Sequence, residues 1–251
     1  MDYGITDKRV VIVGGSRGIG LEIAKGFIAQ QAMVMITSQA PEVFAVRDEL
    51  AKTTSRPVEA LQFDISERAQ VIEAFAKLGP VDVLINNVGV FLETPTTDRS
   101  QEAADLFMKQ LLVNVAGGYW CSQEALPHMS DGGRIIFTAS ISGKVGSANH
   151  SGYAASKHAV LGMIKSMAID LGPLGIAVNA VCPGSSSTEI NLESLGPERI
   201  RWIVRRMPLH GGELIEPSQH VGTYLFLASE AASEITGQTI TIDRGQTLGA
   251  A

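Results

Sequence analysis

Tyr153 and Lys157 stand four residues apart in the stretch YAASK, a spacing that puts both side chains on one face of a helix. A phenol beside a fixed ammonium is a proton-transfer device. Tyrosine titrates near ~10 in water, and an adjacent cation favours the phenolate and moves the group toward a working range. Ser140 is the third candidate member of this set. A Y-x-x-x-K pair also arises by accident in a chain with four Tyr and eight Lys, so the surrounding elements must decide whether it is a site.

The β-branched run Arg9–Val13 reads as a buried strand, and Gly14, Gly15, Gly18 and Gly20 follow at once in GGSRGIG. Apolar residues at Ile19, Ile23, Phe27 and Ile28 then take helical spacing. Strand, glycine turn and helix N-terminus make a pyrophosphate cradle, because glycine lets the backbone approach the ligand and the helix dipole favours negative charge. Gly14, Ser16, Arg17, Gly18, Ile19 and Gly20 are the residues expected to form it. The second strand, Ala32–Thr37, ends at Ser38 and Gln39, where an adenosine ribose would lie. No carboxylate stands there to bond the 2′-hydroxyl of NAD or repel the 2′-phosphate of NADP. Arg17 could pair with that phosphate, which favours NADP, with NAD as the alternative.

Helices over 42–53 and 66–78 alternate with strands over 58–63 and 82–85, the pattern of a mostly parallel sheet covered by helices on both faces. Asp64 and Ile65 close the third strand, where adenine could meet a carboxylate and a backbone amide. Ser66 is the expected cap of the next helix. Asn87 and Gly89, in NNVG, end the fourth strand and could line a crevice. A long helix is expected from Asp98 to Trp120, loosened by Gly117 and Gly118, with Leu106, Leu111, Val113 and Val115 inward. Asn114 within it is either a satisfied core amide or a site residue. The strand 133–139 delivers Ser140, residues 141–152 form a loop, Tyr153 opens a helix, and the strand 176–182 ends at Pro183 and Gly184.

With 251 residues, 45% hydrophobic and 18% charged, the chain can bury an ample core as one domain. Its net charge of −6, without a long Lys/Arg run, argues against a nucleic-acid surface and for small-molecule partners. Cys121 and Cys182 form no C-x-x-C and read as buried apolar residues. His128, His158, His210 and His220 show no metal-ligand spacing, so no metal is expected. The N-terminal stretch lacks a signal-like pattern and no 18-residue apolar run occurs, which points to a cytoplasmic protein and no membrane partner.

Taken in order, GGSRGIG at 14–20, Asp64, NNVG at 86–89, Asn114, Ser140, YAASK at 153–157, PG at 183–184 with Thr188, and ITGQTITID at 235–243 resemble the short-chain dehydrogenase/reductase family over nearly the whole chain. The resemblance implies a Rossmann-like doubly wound parallel sheet in three layers, a single α/β domain spanning 1–251. It implies that Tyr153 is the general acid/base, that Lys157 lowers its pKa and bonds the nicotinamide ribose, that Ser140 holds the substrate oxygen, and that Asn114 supports a proton path. It places the dinucleotide on the glycine turn, Asp64, the Asn87 region and Pro183 to Thr188. The activity implied is that of an NAD(P)-dependent alcohol dehydrogenase or carbonyl reductase acting on a secondary alcohol or ketone, assembled as a homotetramer. A 3-oxoacyl-thioester reductase-like enzyme and a dinucleotide-binding relative without turnover are the alternatives. Val13 and Val88 replace the family's usual threonine and alanine, and DRG near the C-terminus lacks a second glycine.

In that family the segment after the sixth strand covers the substrate, which makes residues 185–216 the expected lid. Ser140, Ser142, His150, Tyr153 and Ser185 are the candidate substrate contacts. The lid helix 197–207 would bury Ile200, Ile203, Val204 and Met207. Arg199, Arg201, Arg205 and Arg206 then form either a solvated basic face or an attraction for an acidic substrate or carrier.

Overall fold

The computed structural model describes residues 3–188, 195–209 and 212–248. Among these, strands β1 (Arg9–Val13), β2 (Met33–Ser38), β3 (Val58–Gln62), β4 (Val83–Asn86), β5 (Arg134–Thr138), β6 (Ala177–Pro183) and β7 (Thr239–Ile242) pair in parallel in the order β3-β2-β1-β4-β5-β6-β7. Side chains alternate across each strand. Val10 and Ile12 of β1 therefore enter a core with Ile23, Phe27 and Tyr224 on one face. Val11 and Val13 enter another with Phe75, Cys121 and Ile164 on the opposite face. Each such side chain contributes roughly 1.5–3 kcal/mol by leaving water. Two cores flanking one sheet give the expected three-layer α/β domain.

The helices are α1 (Gly18–Ala29), α2 (Val43–Ala51), α3 (Arg68–Phe75), α4 (Gln101–Leu111), α5 (Gly118–Ala125), α6 (Ser151–Leu171), α7 (Pro197–Val204) and α8 (Val221–Ala228). Three local expectations need correction. Ser66 does not cap α3: its N–H and hydroxyl both donate to Asp64 Oδ1, at 2.9 and 2.6 Å, and the helix begins at Arg68. The long helix to Trp120 is interrupted by a π-helical turn, Leu112–Gly117, which holds Asn114. Leu106, Leu111 and Val115 in this segment are only half-buried, while Val113 is buried. A Cβ at Gly117 would lie 2.6 Å from Ile65 Cγ1, and one at Gly118 would lie 2.9 Å from Phe137 Cε1, so these glycines let the segment approach the sheet. Finally, α6 begins at Ser151, ahead of Tyr153, because Thr94 Oγ1 accepts from Gly152 N at 2.9 Å and its carbonyl accepts from Ser151 Oγ at 2.7 Å. A side chain from a distant loop thus satisfies an orphan amide of the helix.

The packing of α1 against α8 rests on Gly26, where any Cβ would run into Val221 Cγ1. Gly26→Ala should cost about 1–3 kcal/mol by overpacking. Val221→Ala in the same chain should return most of that loss in thermal denaturation; a double variant no more stable than Gly26→Ala would show that the helices do not meet there.

Candidate active site

The strand order reverses between β1 and β4, where the chain crosses from the β3 edge back to the sheet centre. Ligands of open α/β sheets bind at the carboxyl ends of strands at such a point. Here those ends open into a cleft of about 610 Å³, within the size range of ligand sites.

At one end lies the glycine turn. Gly14 and Gly18 adopt φ of +83° and +55°, in the left-handed region that favours glycine. The N–H groups of Gly14 and Gly15 donate to Thr37 O at 3.0 and 3.1 Å, tying the turn to β2. Asn87 Nδ2 donates to Gly14 O at 2.9 Å. Asn87 Oδ1 in turn accepts from Thr138 Oγ1 at 3.0 Å. Thr138 Oγ1 also lies 2.8 Å from Tyr224 Oη. Its single proton goes to Asn87, so Tyr224 is the donor there. Burial pushes the Tyr224 phenol up and keeps it protonated for that role. Asn87 is therefore a brace across three strand ends and α8 as well as a lining residue.

Gly14, Ser16, Arg17, Gly18, Ile19, Ser38, Asp64, Ile65, Asn87 and Gly89 all line the cleft, as do Pro183, Gly184 and Thr188. Gly20 does not. A Cβ there would collide with Gly14 O, so this glycine serves the tight approach of helix to turn.

Toward the other end, β5 presents Ser140 and α6 presents Tyr153 and Lys157, all on the cleft wall. Ser140 shares the cleft wall with the Tyr153 phenol and favours its ionised form. Ser140 Oγ accepts from Ser142 N at 3.1 Å, which closes a short helical turn over Ile141–Gly143. Lys157 is 3% exposed. Its Nζ donates to Thr138 O at 2.9 Å and lies 5.6 Å from the Tyr153 ring centroid. Burial moves both groups toward their neutral forms. The Lys157 ammonium falls to about 8, with Cys182 opposing the shift. The phenol of Tyr153 is raised, with Ser140 pulling the other way and Cys182 reinforcing the rise. The depressed phenol expected from its lysine neighbour is thus not found here, because desolvation is the larger effect.

Asn114 does not reach the cleft wall. Its amide donates to Val90 O and Ser156 Oγ, both at 3.0 Å, and accepts from Val90 N at 2.8 Å. Both amide hydrogens are committed, so the satisfied-core reading describes its geometry. Its position is nonetheless close to the site: a Cβ on Gly89 would lie 3.5 Å from Asn114 Oδ1 and 3.3 Å from Lys157 Nζ.

Residues 13–247 match the family model described as enoyl-(acyl carrier protein) reductase. L-Rhamnose 1-dehydrogenase (NAD(P)(+)) of Azotobacter vinelandii is 35% identical, over 96% of this chain and 97% of that protein. The chain belongs to the short-chain dehydrogenase/reductase family. Meso-2,3-butanediol dehydrogenase of Serratia marcescens is likewise 35% identical, over 96% of this chain and 95% of that one. A solved structure from Beutenbergia cavernae, named for NAD(P)-dependent gluconate 5-dehydrogenase and holding NADP at low occupancy, aligns with a TM-score of 0.90. It is 31% identical over 99% of this chain and 100% of its own.

In this short-chain dehydrogenase/reductase, Ser142, His150 and Ser185 also line the cleft. Ser185 is held by Gln246, whose amide accepts from Ser185 N and donates to Ser185 Oγ, each at 3.0 Å. Phe91 stacks on the His150 ring at 4.1 Å and meets the Tyr153 ring edge-on at 4.8 Å. Sequence reading missed Phe91, Thr94, Thr138, Tyr224 and Gln246. Of these, only Thr138 carried a signal, as a polar residue inside an apolar strand. The expected lid lies partly outside the described residues, at 189–194 and 210–211, as does His210. In its described part, Ile203, Val204 and Met207 are buried against Leu214 and Ile215, with Ile200 half-buried beside them. Among the described residues no three His, Cys, Asp or Glu side chains cluster as a metal site. His220 is buried with Nε2 2.7 Å from Ser186 Oγ, and burial, with the Arg244 charge, lowers it to about 4. Cys121 and Cys182 are buried thiols pushed up by desolvation.

Thr138→Val keeps the shape of the side chain but removes the hydroxyl, leaving Asn87 Oδ1 and Tyr224 Oη unpaired. A loss of about 1–3 kcal/mol is expected by chemical denaturation. Thr138→Ser should recover most of it. A loss in Thr138→Ser with none in Thr138→Val would mean that the methyl group, and not the bridge, matters.

Proposed function

We propose that this chain is an NADP-preferring alcohol dehydrogenase or carbonyl reductase that interconverts a secondary alcohol and a ketone, with Tyr153 as general acid/base. As a family member it is an NAD(P)-dependent oxidoreductase acting at a CH–OH group. The observation that carries the reading is that Ser140, Tyr153 and Lys157 share the wall of one cleft with a glycine cradle.

The cradle fits a dinucleotide. A Cβ at Gly14 would lie 2.7 Å from Val88 Cγ2, and Gly14 and Gly18 hold left-handed backbone that opens the first turn of α1 to a pyrophosphate. Ser16, Arg17, Gly18 and Ile19 would hold the phosphates; Arg17 and Ser38 the 2′-phosphate; Asp64 and Ile65 the adenine; and Pro183 to Thr188, with Lys157, the nicotinamide end. When bound, the nicotinamide supplies or accepts the hydride.

The protein's own work is orientation and proton management. Ser140 donates to the substrate oxygen and fixes it beside the phenol. In reduction Tyr153 gives that oxygen its proton; in oxidation it takes the proton back. Burial favours the protonated phenol, a competent acid for the reductive direction. Lys157, lowered to about 8 by burial, titrates close to neutral pH and can follow the charge that develops on Tyr153. Asn114 is a positioning residue that ties Val90 to Ser156, the residue before Lys157. Ser185, Leu195, Trp202 and Ile203, in the described part of the lid, line the cleft over the substrate.

Homotetramer assembly is part of this reading. It is supported by apolar side chains left exposed on α4 to α6, among them Met108 at 60% and Ile169 at 77%. A cytoplasmic setting is supported by two unpaired buried cysteines. Among the described residues no helix is long and apolar enough to cross a membrane.

Nicotinamide absorbance against an alcohol and ketone panel tests the reaction. Tyr153→Phe should lower kcat by roughly 10²–10⁴-fold while leaving NADPH affinity nearly intact; a kcat close to wild type would remove Tyr153 from its role. Ser38→Asp should shift the ratio of kcat/KM toward NAD by repelling the 2′-phosphate. An unchanged ratio would place the 2′-phosphate elsewhere.

A further inference from the structure

Helix α7 carries Arg199 and Trp202, three residues apart, and the turn that follows it carries Arg206, four residues further on. The guanidinium carbons of Arg199 and Arg206 lie 4.4 and 4.7 Å from the centroid of the Trp202 ring. All three side chains line the cleft, as does Ile203, while Val204 and Met207 are buried off it with Leu214 and Ile215. The fourfold run of arginines in this segment is therefore split. Arg201 points to Glu198 at 4.0 Å and is exposed, as is Arg205. Arg199, exposed as they are, and half-buried Arg206 stack on the Trp202 ring, itself 47% exposed, at the cleft lining.

Stacking on indole orients a guanidinium while leaving its N–H edge free to bond. Among the described residues neither Arg199 nor Arg206 has a carboxylate within ion-pair distance. The charge of the whole lining points the same way. On a chain of net charge −6, the described cleft residues include Arg17, Lys109, Lys157, Arg199 and Arg206 against the single carboxylate of Asp64. Arg17 and Asp64 belong with the glycine turn, and Lys157 donates to Thr138 O beside Tyr153. Lys109, Arg199 and Arg206 remain, and of these the two guanidiniums are oriented by the Trp202 ring.

Resting on the oxidoreductase reading above, we propose that the substrate carries an oxyanion, a carboxylate or a phosphate ester, which Arg199 and Arg206 grip on either side of Trp202. A planar guanidinium edge matches the paired oxygens of either group. The charge also draws such a substrate into the cleft against the protein's overall negative field.

The test uses the full-length enzyme with NADPH and two matched ketone pairs: acetoacetate with its methyl ester, and dihydroxyacetone phosphate with dihydroxyacetone. The wild type is expected to prefer the anionic member of one pair by kcat/KM, and which pair it is separates carboxylate from phosphate. In Arg199→Gln/Arg206→Gln the anionic-to-neutral ratio should fall about tenfold or more, mainly through KM. No preference in the wild type, or a ratio that survives the double substitution, overturns the proposal. So does a tenfold rise in the NADPH dissociation constant, which would assign the arginines to the dinucleotide. Binding is also read without turnover. The chain has two tryptophans, so in Trp120→Phe the fluorescence reports Trp202 alone. Inorganic phosphate added to the NADP⁺ complex at constant ionic strength should change it saturably, and the double arginine variant should lose that response. A flat titration counts against the oxyanion site. A saturable response with no ketone reduced would retain the site and reject the oxidoreductase reading.

Discussion

Thr138 is the node on which the site depends. Its hydroxyl receives the Tyr224 proton and gives its own to Asn87, whose amide holds Gly14. Its carbonyl receives the Lys157 ammonium. One residue at the end of β5 thus ties the glycine turn after β1, the loop after β4, helix α8 and the lysine of α6. Each member of this chain is buried or half-buried, so an unpaired group would cost about 1–3 kcal/mol. The network therefore holds the glycine turn and the Tyr153–Lys157 pair in one fixed relation. That relation matters because the chemistry depends on the distance between two ligands held by different elements.

Burial has a second consequence at the same place. Both Tyr153 and Lys157 are driven toward their neutral forms, in opposite directions on the pH scale, by desolvation. The phenol thereby holds its proton more firmly, and the ammonium gives its own up at lower pH, than either group would in water. The cleft, walled by Phe91 and His150 on the Tyr153 side, keeps its charges near its two ends. Arg17 serves one end and the Trp202-supported arginines the other. A protein of negative net charge thus presents a positively charged cavity.

Much of this was legible in the chain. Strand and helix order followed from the alternation of β-branched runs with 3.6-periodic segments, and element ends were displaced by only a few residues. The displacements have local causes. Asp64 takes the hydrogen bonds of Ser66, so α3 starts late. Thr94, distant in sequence, caps α6 and so starts it early. The π-helical turn at Leu112–Gly117 answers to Ile65 and Phe137, which no reading of that segment alone includes. Gly20 carried the right signal with the wrong meaning, since its missing side chain makes room for Gly14 O and not for a ligand.

The sequence by itself determined the parallel α/β layering, the glycine turn and the pairing of Tyr153 with Lys157, because each depends on spacing within one or two adjacent elements. The tertiary structure alone decided what those residues experience. Desolvation raised the phenol and lowered the ammonium, and contacts spanning the length of the chain joined Thr138 to Tyr224 and Asn87. It also set two of the four neighbouring lid arginines, exposed Arg199 and half-buried Arg206, against Trp202 on the cleft lining and left Arg201 and Arg205 off it. Helical periodicity can group those arginines, but only the packing of Ile203, Val204 and Met207 against Leu214 and Ile215 sets which side of the helix looks inward.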